Sequence, residues 1–82
     1  MTLQQLLYVI TISETGSFNS AAEKLYLAQP SLTSAVRDLE KEIGITVFNR
    51  TRRGVTLTAE GAAFRFTLEH VKQERIMEKA EA

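Results

Sequence analysis

SFNSAAEKLYLAQPSLTSAVRDLEKEIG, running from Ser17 to Gly44, reads as two short helices joined by a tight turn. In the first, Phe18, Ala21, Ala22 and Leu25 recur at i, i+3, i+4 and i+7, which places all four on one face of a 3.6-residue period. In the second, Leu32, Val36, Leu39 and Ile43 form a matching stripe with Ala35 at its edge, while Pro30, Ser34, Arg37 and Lys41 stand opposite. Ser17 is the natural N-cap of the first helix, its oxygen placed to accept from N–H groups two or three residues on. Tyr26, Leu27 and Ala28 supply the turn. Pro30 falls in the first turn of the next helix, where a missing N–H costs nothing, and Gly44 stops that helix. Each apolar stripe needs a cover, so the pair predicts a small helical body with a polar, basic face turned outward.

Arg37 and Lys41 are one turn apart on that face and repel each other unless a polyanion or a carboxylate relieves them. For Lys41 alone, pairing with Asp38 makes a solvated helix surface the plainer reading. For Gln29 to Glu42 as a whole, a helix that opens Gln-Pro-Ser with a short polar N-terminal face is what a helix-turn-helix offers to a major groove.

Upstream, Thr2 and Gln5 have the spacing of a capping box that opens a first helix, and Thr15-Gly16 close it. Leu3, Leu6, Leu7 and Ile10 form its expected buried stripe; Tyr8, Val9 and Ile12 widen the apolar surface, so the helix is expected to be touched on two sides. Downstream, Ile45 to Asn49 and Val55 to Thr58 flank Arg50-Thr51-Arg52-Arg53-Gly54. Two short β-branched runs around a loop that ends in glycine predict a hairpin, a wing whose tip presents the three arginines. Such a tip can reach a phosphate or enter a narrow minor groove; a solvated basic turn is the alternative for any one arginine. Thr58 caps a last helix expected from Ala59 to about Glu81. Phe64, Leu68 and Val71 share one of its stripes, with Phe66, Met77 and Ala80 nearly opposite, so one side should meet the chain's own body and the other a second copy. The helix has no glycine or proline stop before Ala82, and the sequence is expected to continue in a longer protein.

The chain has 82 residues, a single small domain that buries only about 60–65 % of its unfolded surface. Ten Lys and Arg balance ten Asp and Glu, so an overall basic signature is missing, yet no acid lies between Glu42 and Glu60 while Arg50, Arg52 and Arg53 do. Cysteine is absent, which excludes disulfides and thiolate metal sites and fits a reducing compartment. No apolar run approaches a membrane span and no leader pattern follows Met1, so a cytoplasmic location is expected. Catalysis is not expected either. The one histidine, His70, lies off the apolar stripe of its helix, Asp38, Glu40 and Glu42 point in different directions, and neither metal-ligand spacing nor a phosphate-binding glycine loop occurs. No cofactor or metal is implied.

With these elements placed, the chain resembles the N-terminal DNA-binding domain of the LysR-type transcriptional regulators. The resemblance is carried by GSFNSAAEKLYLAQPSLTSAVRDLEKEIGITVFNRTRRGVTLTAEG, in which the Ser-Phe, Ala-Ala, Gln-Pro-Ser, Leu-Glu, Phe-x-Arg and Leu-Thr-x-x-Gly elements fall at family spacing. It implies a mainly α fold: a winged helix-turn-helix with a three-helix core and two-stranded wing over residues 1–58, then a linker helix, 59–82, that dimerises. It also implies double-stranded DNA as partner, bound by a homodimer on an interrupted inverted repeat, with helix 30–42 in the major groove and wing 50–54 at the minor groove or backbone. Base contacts are expected from Gln29, Pro30, Ser31, Thr33, Ser34 and Arg53, phosphate contacts from Ser17, Arg37, Arg50 and Arg52, and dimer contacts from Phe64, Leu68 and Val71. Where many members have Ser-Arg this chain has Thr33-Ser34, one long cation fewer on the reading face. A small-molecule effector, and any tetramer, would require a C-terminal domain outside these residues. A winged-helix module that binds protein instead of DNA is the rival reading, favoured by the zero net charge and opposed by the arginines of the wing.

Overall fold

The computed structural model describes the backbone of residues 1–81 and the side chains of residues 1–70. Three helices, α1 (Leu3–Thr15), α2 (Phe18–Lys24) and α3 (Gln29–Ile43), precede a hairpin of β1 (Phe48–Thr51) and β2 (Gly54–Leu57), and α4 (Ala59–Glu81) follows. The helix ends are where local chemistry puts them. Thr2 and Gln5 close a reciprocal capping box, Ser17 accepts from the Ser20 N–H, and Gly16 and Gly44 end α1 and α3 in the left-handed conformation. Thr58 Oγ1 accepts from the Gly61 N–H at 2.8 Å at the start of α4.

Ile12, Leu32, Leu39, Val9 and Val47 are the largest fully buried side chains, contributed by α1, α3 and the approach to β1. Phe18, Ala21 and Ala22 bring the apolar face of α2 to the same core, and Val36 completes the stripe of α3. α1 departs from expectation. Leu3 is 73 % exposed and Leu7 51 %, whereas Tyr8, Val9 and Ile12 are buried along with Ile10. Apolar residues on α1 admit more than one stripe, and the face turned inward is the one that meets α2, α3 and β2, which periodicity within α1 does not specify.

The wing is a two-stranded antiparallel sheet with Phe48 opposite Leu57, Asn49 opposite Thr56, Arg50 opposite Val55 and Thr51 opposite Gly54. Its loop is therefore only Arg52-Arg53, and Arg50 lies within β1 rather than at the tip. The hairpin is anchored at both ends, near its turn and at its base. The Val55 N–H donates to the Gly16 carbonyl at 3.0 Å, and a Cβ on Gly54 would stand 2.7 Å from that oxygen. At the other end Glu40 Oε2 accepts from the N–H groups of Val47 at 2.7 Å and Phe48 at 3.4 Å, so a carboxylate on α3 caps the strand. These ties set the wing beside the outer face of α3.

Arg65 holds α4 to α1. Its Nε donates to Ser13 Oγ at 2.5 Å, and its guanidinium pairs with Glu14 at 3.5 Å and Glu69 at 3.3 Å. Leu68, expected to face a second copy, is buried in the chain's own core, and Phe64, half-buried, packs against that core. Among the described residues of α4, Phe66 is the large apolar side chain left exposed, 66 % accessible. The Val71, Met77 and Ala80 side chains lie outside the described residues.

Candidate nucleic-acid interface

One face of the N-terminal half of α3 is turned away from the core because Leu32, Val36 and Leu39 draw the opposite face of the helix inward. Pro30, Ser31, Ser34 and Arg37 are exposed; Gln29 and Thr33 are half-buried beside them. Ala28 provides no side-chain cap, and Pro30 stands in the first turn, where it has no N–H to leave unpaired. The turn into α3 passes through Tyr26, whose φ of 57° is the positive value found outside glycine among the described residues, with the ring 96 % exposed.

Gln29 Nε2 donates to Thr33 Oγ1 at 3.2 Å, one helical turn on. The same oxygen accepts from Arg50 Nη2 at 3.3 Å. The Arg50 guanidinium lies 4.0 Å from the centroid of the Phe18 ring, and that ring meets Phe48 edge-on at 5.8 Å. Phe48 and Arg50, two apart on β1, thus use one strand face to clasp the same phenyl group. The cluster joins α2, α3 and β1 beneath the reading face, and a cation stacked on a ring gains attraction from the ring quadrupole.

Arg52 and Arg53 are exposed at the wing tip, where Thr51 Oγ1 accepts from the Arg53 N–H at 3.3 Å and donates to the Gly54 carbonyl at 3.1 Å. Ser17 Oγ serves as the α2 cap. Asp38 and Lys41, expected to pair, form no ion pair among the described residues. Of the groups singled out in the sequence, the fold thus brings Gln29, Thr33 and Arg50 into direct contact and leaves Arg37, Arg52 and Arg53 as open cations. Sequence reasoning missed Phe18 as a platform for Arg50 and Glu40 as a strand cap. The Phe-x-Arg spacing held a signal for the first, since residues two apart on a strand share a face; the second needed the position of β1.

Among the described residues no group of acids and histidines is disposed to hold a metal ion, and no helix is long and apolar enough to cross a membrane. Three helices with an exposed third, followed by a hairpin, define a winged helix-turn-helix. The family model described as "Bacterial regulatory helix-turn-helix protein, lysR family" matches residues 3–62, and the chain belongs to that family. This is a family of regulators, not of enzymes.

Among the similar proteins, the HTH-type transcriptional regulator TfdT of Cupriavidus pinatubonensis is 44 % identical over 64 residues, 78 % of this chain and 28 % of TfdT. The crystal structure of CbnR, a LysR family transcriptional regulator, aligns at a TM-score of 0.86 and 32 % identity, covering 100 % of this chain and 29 % of that one. A CbnR_DBD–DNA complex aligns at 0.80 and 33 % identity, covering 99 % of this chain and 98 % of that one. The chain therefore spans under a third of the length of the full regulators it matches.

Proposed function

We propose that this chain is the DNA-reading part of a transcriptional regulator that binds double-stranded DNA sequence-specifically as a homodimer. One observation carries the reading. The exposed N-terminal face of α3 is flanked by a wing whose two-residue tip holds Arg52 and Arg53, so a base-reading surface and a phosphate-binding one lie on neighbouring elements. The similarity to a CbnR_DBD solved with DNA supports it.

In this reading Gln29, Pro30, Ser31, Thr33 and Ser34 meet base edges in the major groove and Arg53 enters the adjacent minor groove. Arg37, Arg52 and Ser17 contact phosphates and set register. The Gln29 carbonyl and its second N–H can bond an adenine bidentately, a pairing worth about 1–3 kcal/mol of discrimination. Residues 59–82 act as the linker helix and join two copies on an interrupted inverted repeat, with half-sites about one helical turn or a multiple apart. For α4 the mate-facing candidate is Phe66, together with the exposed Leu3 and Leu7 of α1. A cytoplasmic location follows from this role, and any effector response or tetramer would arise from segments outside these residues.

Selection of bound duplexes from a random pool tests the proposal. A palindromic consensus with fixed half-site spacing is expected; recovery of no consensus overturns it. The protein-binding alternative, favoured by the zero net charge, predicts no salt-dependent affinity for random duplex.

A further inference from the structure

The Thr33 hydroxyl is held differently from the other helical threonine hydroxyls of this chain. Thr11 Oγ1 donates to the Leu7 carbonyl at 2.9 Å, Thr15 Oγ1 to the Thr11 carbonyl at 3.0 Å and Thr67 Oγ1 to the Ala63 carbonyl at 3.1 Å, each four residues back. Thr33 makes no such bond to the Gln29 carbonyl; its oxygen accepts from Gln29 Nε2 and from Arg50 Nη2 instead. A hydroxyl has two lone pairs and one proton. With both lone pairs occupied, its remaining capacity is the O–H.

We infer that Arg50 is a positioning residue that, with Gln29, fixes Thr33 as a donor-only reader of one base pair. The inference rests on the DNA-binding reading of α3 above and deepens it. Arg50 is suited to the task for a geometric reason. Stacking on Phe18 restrains the guanidinium, and Phe48 braces that ring in turn, so the donor that meets Thr33 is held by packing as well as by its own hydrogen bond. The side chain expected from the sequence to anchor a phosphate from the wing tip is thereby turned toward the recognition helix.

The consequence is a stated base preference. A hydroxyl that can only donate is satisfied by the N7 of either purine, the O6 of guanine or the O4 of thymine. Cytosine offers the major groove an amino donor, which meets the donor-only hydroxyl without a hydrogen bond. Thr33 therefore disfavours cytosine on the strand it reads, and does so only while Arg50 and Gln29 occupy the oxygen. Without those two partners a threonine hydroxyl can also accept, from the cytosine amino group among others, and the preference fades.

The test uses the whole chain and duplexes carrying its selected site, with every base at each half-site position varied in turn. Thr33→Val keeps shape and methyl but loses the hydroxyl; Thr33→Ser keeps the hydroxyl; Arg50→Met keeps an unbranched stem against Phe18 but loses the donor. Thr33→Val should reduce discrimination against cytosine at one position per half-site by about ten-fold, the scale of one lost polar base contact. Thr33→Ser should retain the preference, and Arg50→Met should relax the same position as Thr33→Val. In the double variant the two losses should not add.

If Arg50→Met instead weakens all sequences alike and flattens the salt dependence by about one phosphate contact with the base preferences unchanged, the assignment is overturned. It is overturned equally if Thr33→Val alters no position. Should Arg50→Met fail to fold, the Thr33→Val and Thr33→Ser pair decides, because replacing the purine by its 7-deaza analogue, or thymine by an analogue lacking O4, must cost the wild type and Thr33→Ser but not Thr33→Val. Failure of the wild type to select any site would refute the DNA-binding reading itself, an outcome distinct from these.

Discussion

Gly61→Ala places two effects of opposite sign in competition. Gly61 is in the first turn of α4 with an ordinary helical backbone, and helix propensity alone predicts that alanine stabilises by up to about 1 kcal/mol. The surroundings predict the reverse. A Cβ at this position would lie 2.1 Å from the Val47 carbonyl oxygen and 2.9 Å from its carbon. That is about 1.3 Å short of the 3.4 Å at which ordinary van der Waals contact begins, and both sides are backbone, so no side chain can swing aside. The start of α4 must retreat. Doing so stretches the Thr58 N–H bond to the Val47 carbonyl, 3.0 Å, and the Thr58 hydroxyl bond to the Thr46 carbonyl, 2.5 Å. Overpacking at about 1–3 kcal/mol and one or two hydrogen bonds at about 1 kcal/mol each outweigh the propensity gain, for a net loss of about 2–3 kcal/mol. For a domain of this size that is a fall of about 10–20 °C in Tm. Thermal melts followed by circular dichroism at matched protein concentration, so that dimerisation is held constant, read it directly. An unchanged or raised Tm refutes the close-packing argument.

Glu40→Ala should cost about 2 kcal/mol in urea unfolding, because the Val47 N–H, buried and bonded to the carboxylate at 2.7 Å, loses a charged acceptor; Glu40→Gln should recover most of it. Tyr26→Asn should stabilise by about 0.5–1 kcal/mol, read as a higher urea midpoint at unchanged m-value, since the exposed ring forfeits little and asparagine tolerates the φ of 57° better. Phe66→Asp should shift sedimentation equilibrium toward monomer by at least about ten-fold in Kd while the monomer's melt is little changed, because the side chain is 66 % exposed.

The features readable in the sequence were those set by neighbours a few residues away. The Thr2–Gln5 capping box, the Ser17 and Thr58 caps and the glycine stops at Gly16 and Gly44 all stand where the spacing placed them, and α3 runs Gln29–Ile43 against an expected 30–42. The stripes of α2 and α3 are buried as read, because each helix has one dominant apolar face. α1 has apolar residues on several sides, and its inward face was decided by what packs on it; Leu3 and Leu7 lost to Tyr8 and Val9. The sequence alone predicts a loop longer than two residues and so puts Arg50 at the wing tip. The strand register puts it opposite Val55, and only then does its stacking on Phe18 follow. Phe64 and Leu68 show the same limit: a stripe on α4 reveals that a face is covered, not whether the cover is the chain's own core or a second copy.

The central claim is that α3 reads bases while the wing tip holds the backbone, and titration of Gln29→Ala and Arg52→Ala with the selected duplex and with random duplex, each at two salt concentrations, tests it most directly. Gln29→Ala should weaken the selected site by about ten-fold more than random DNA with the salt slope unchanged. Arg52→Ala should weaken both alike and reduce the slope by about one unit. Equal losses on both duplexes for Gln29→Ala would contradict the account.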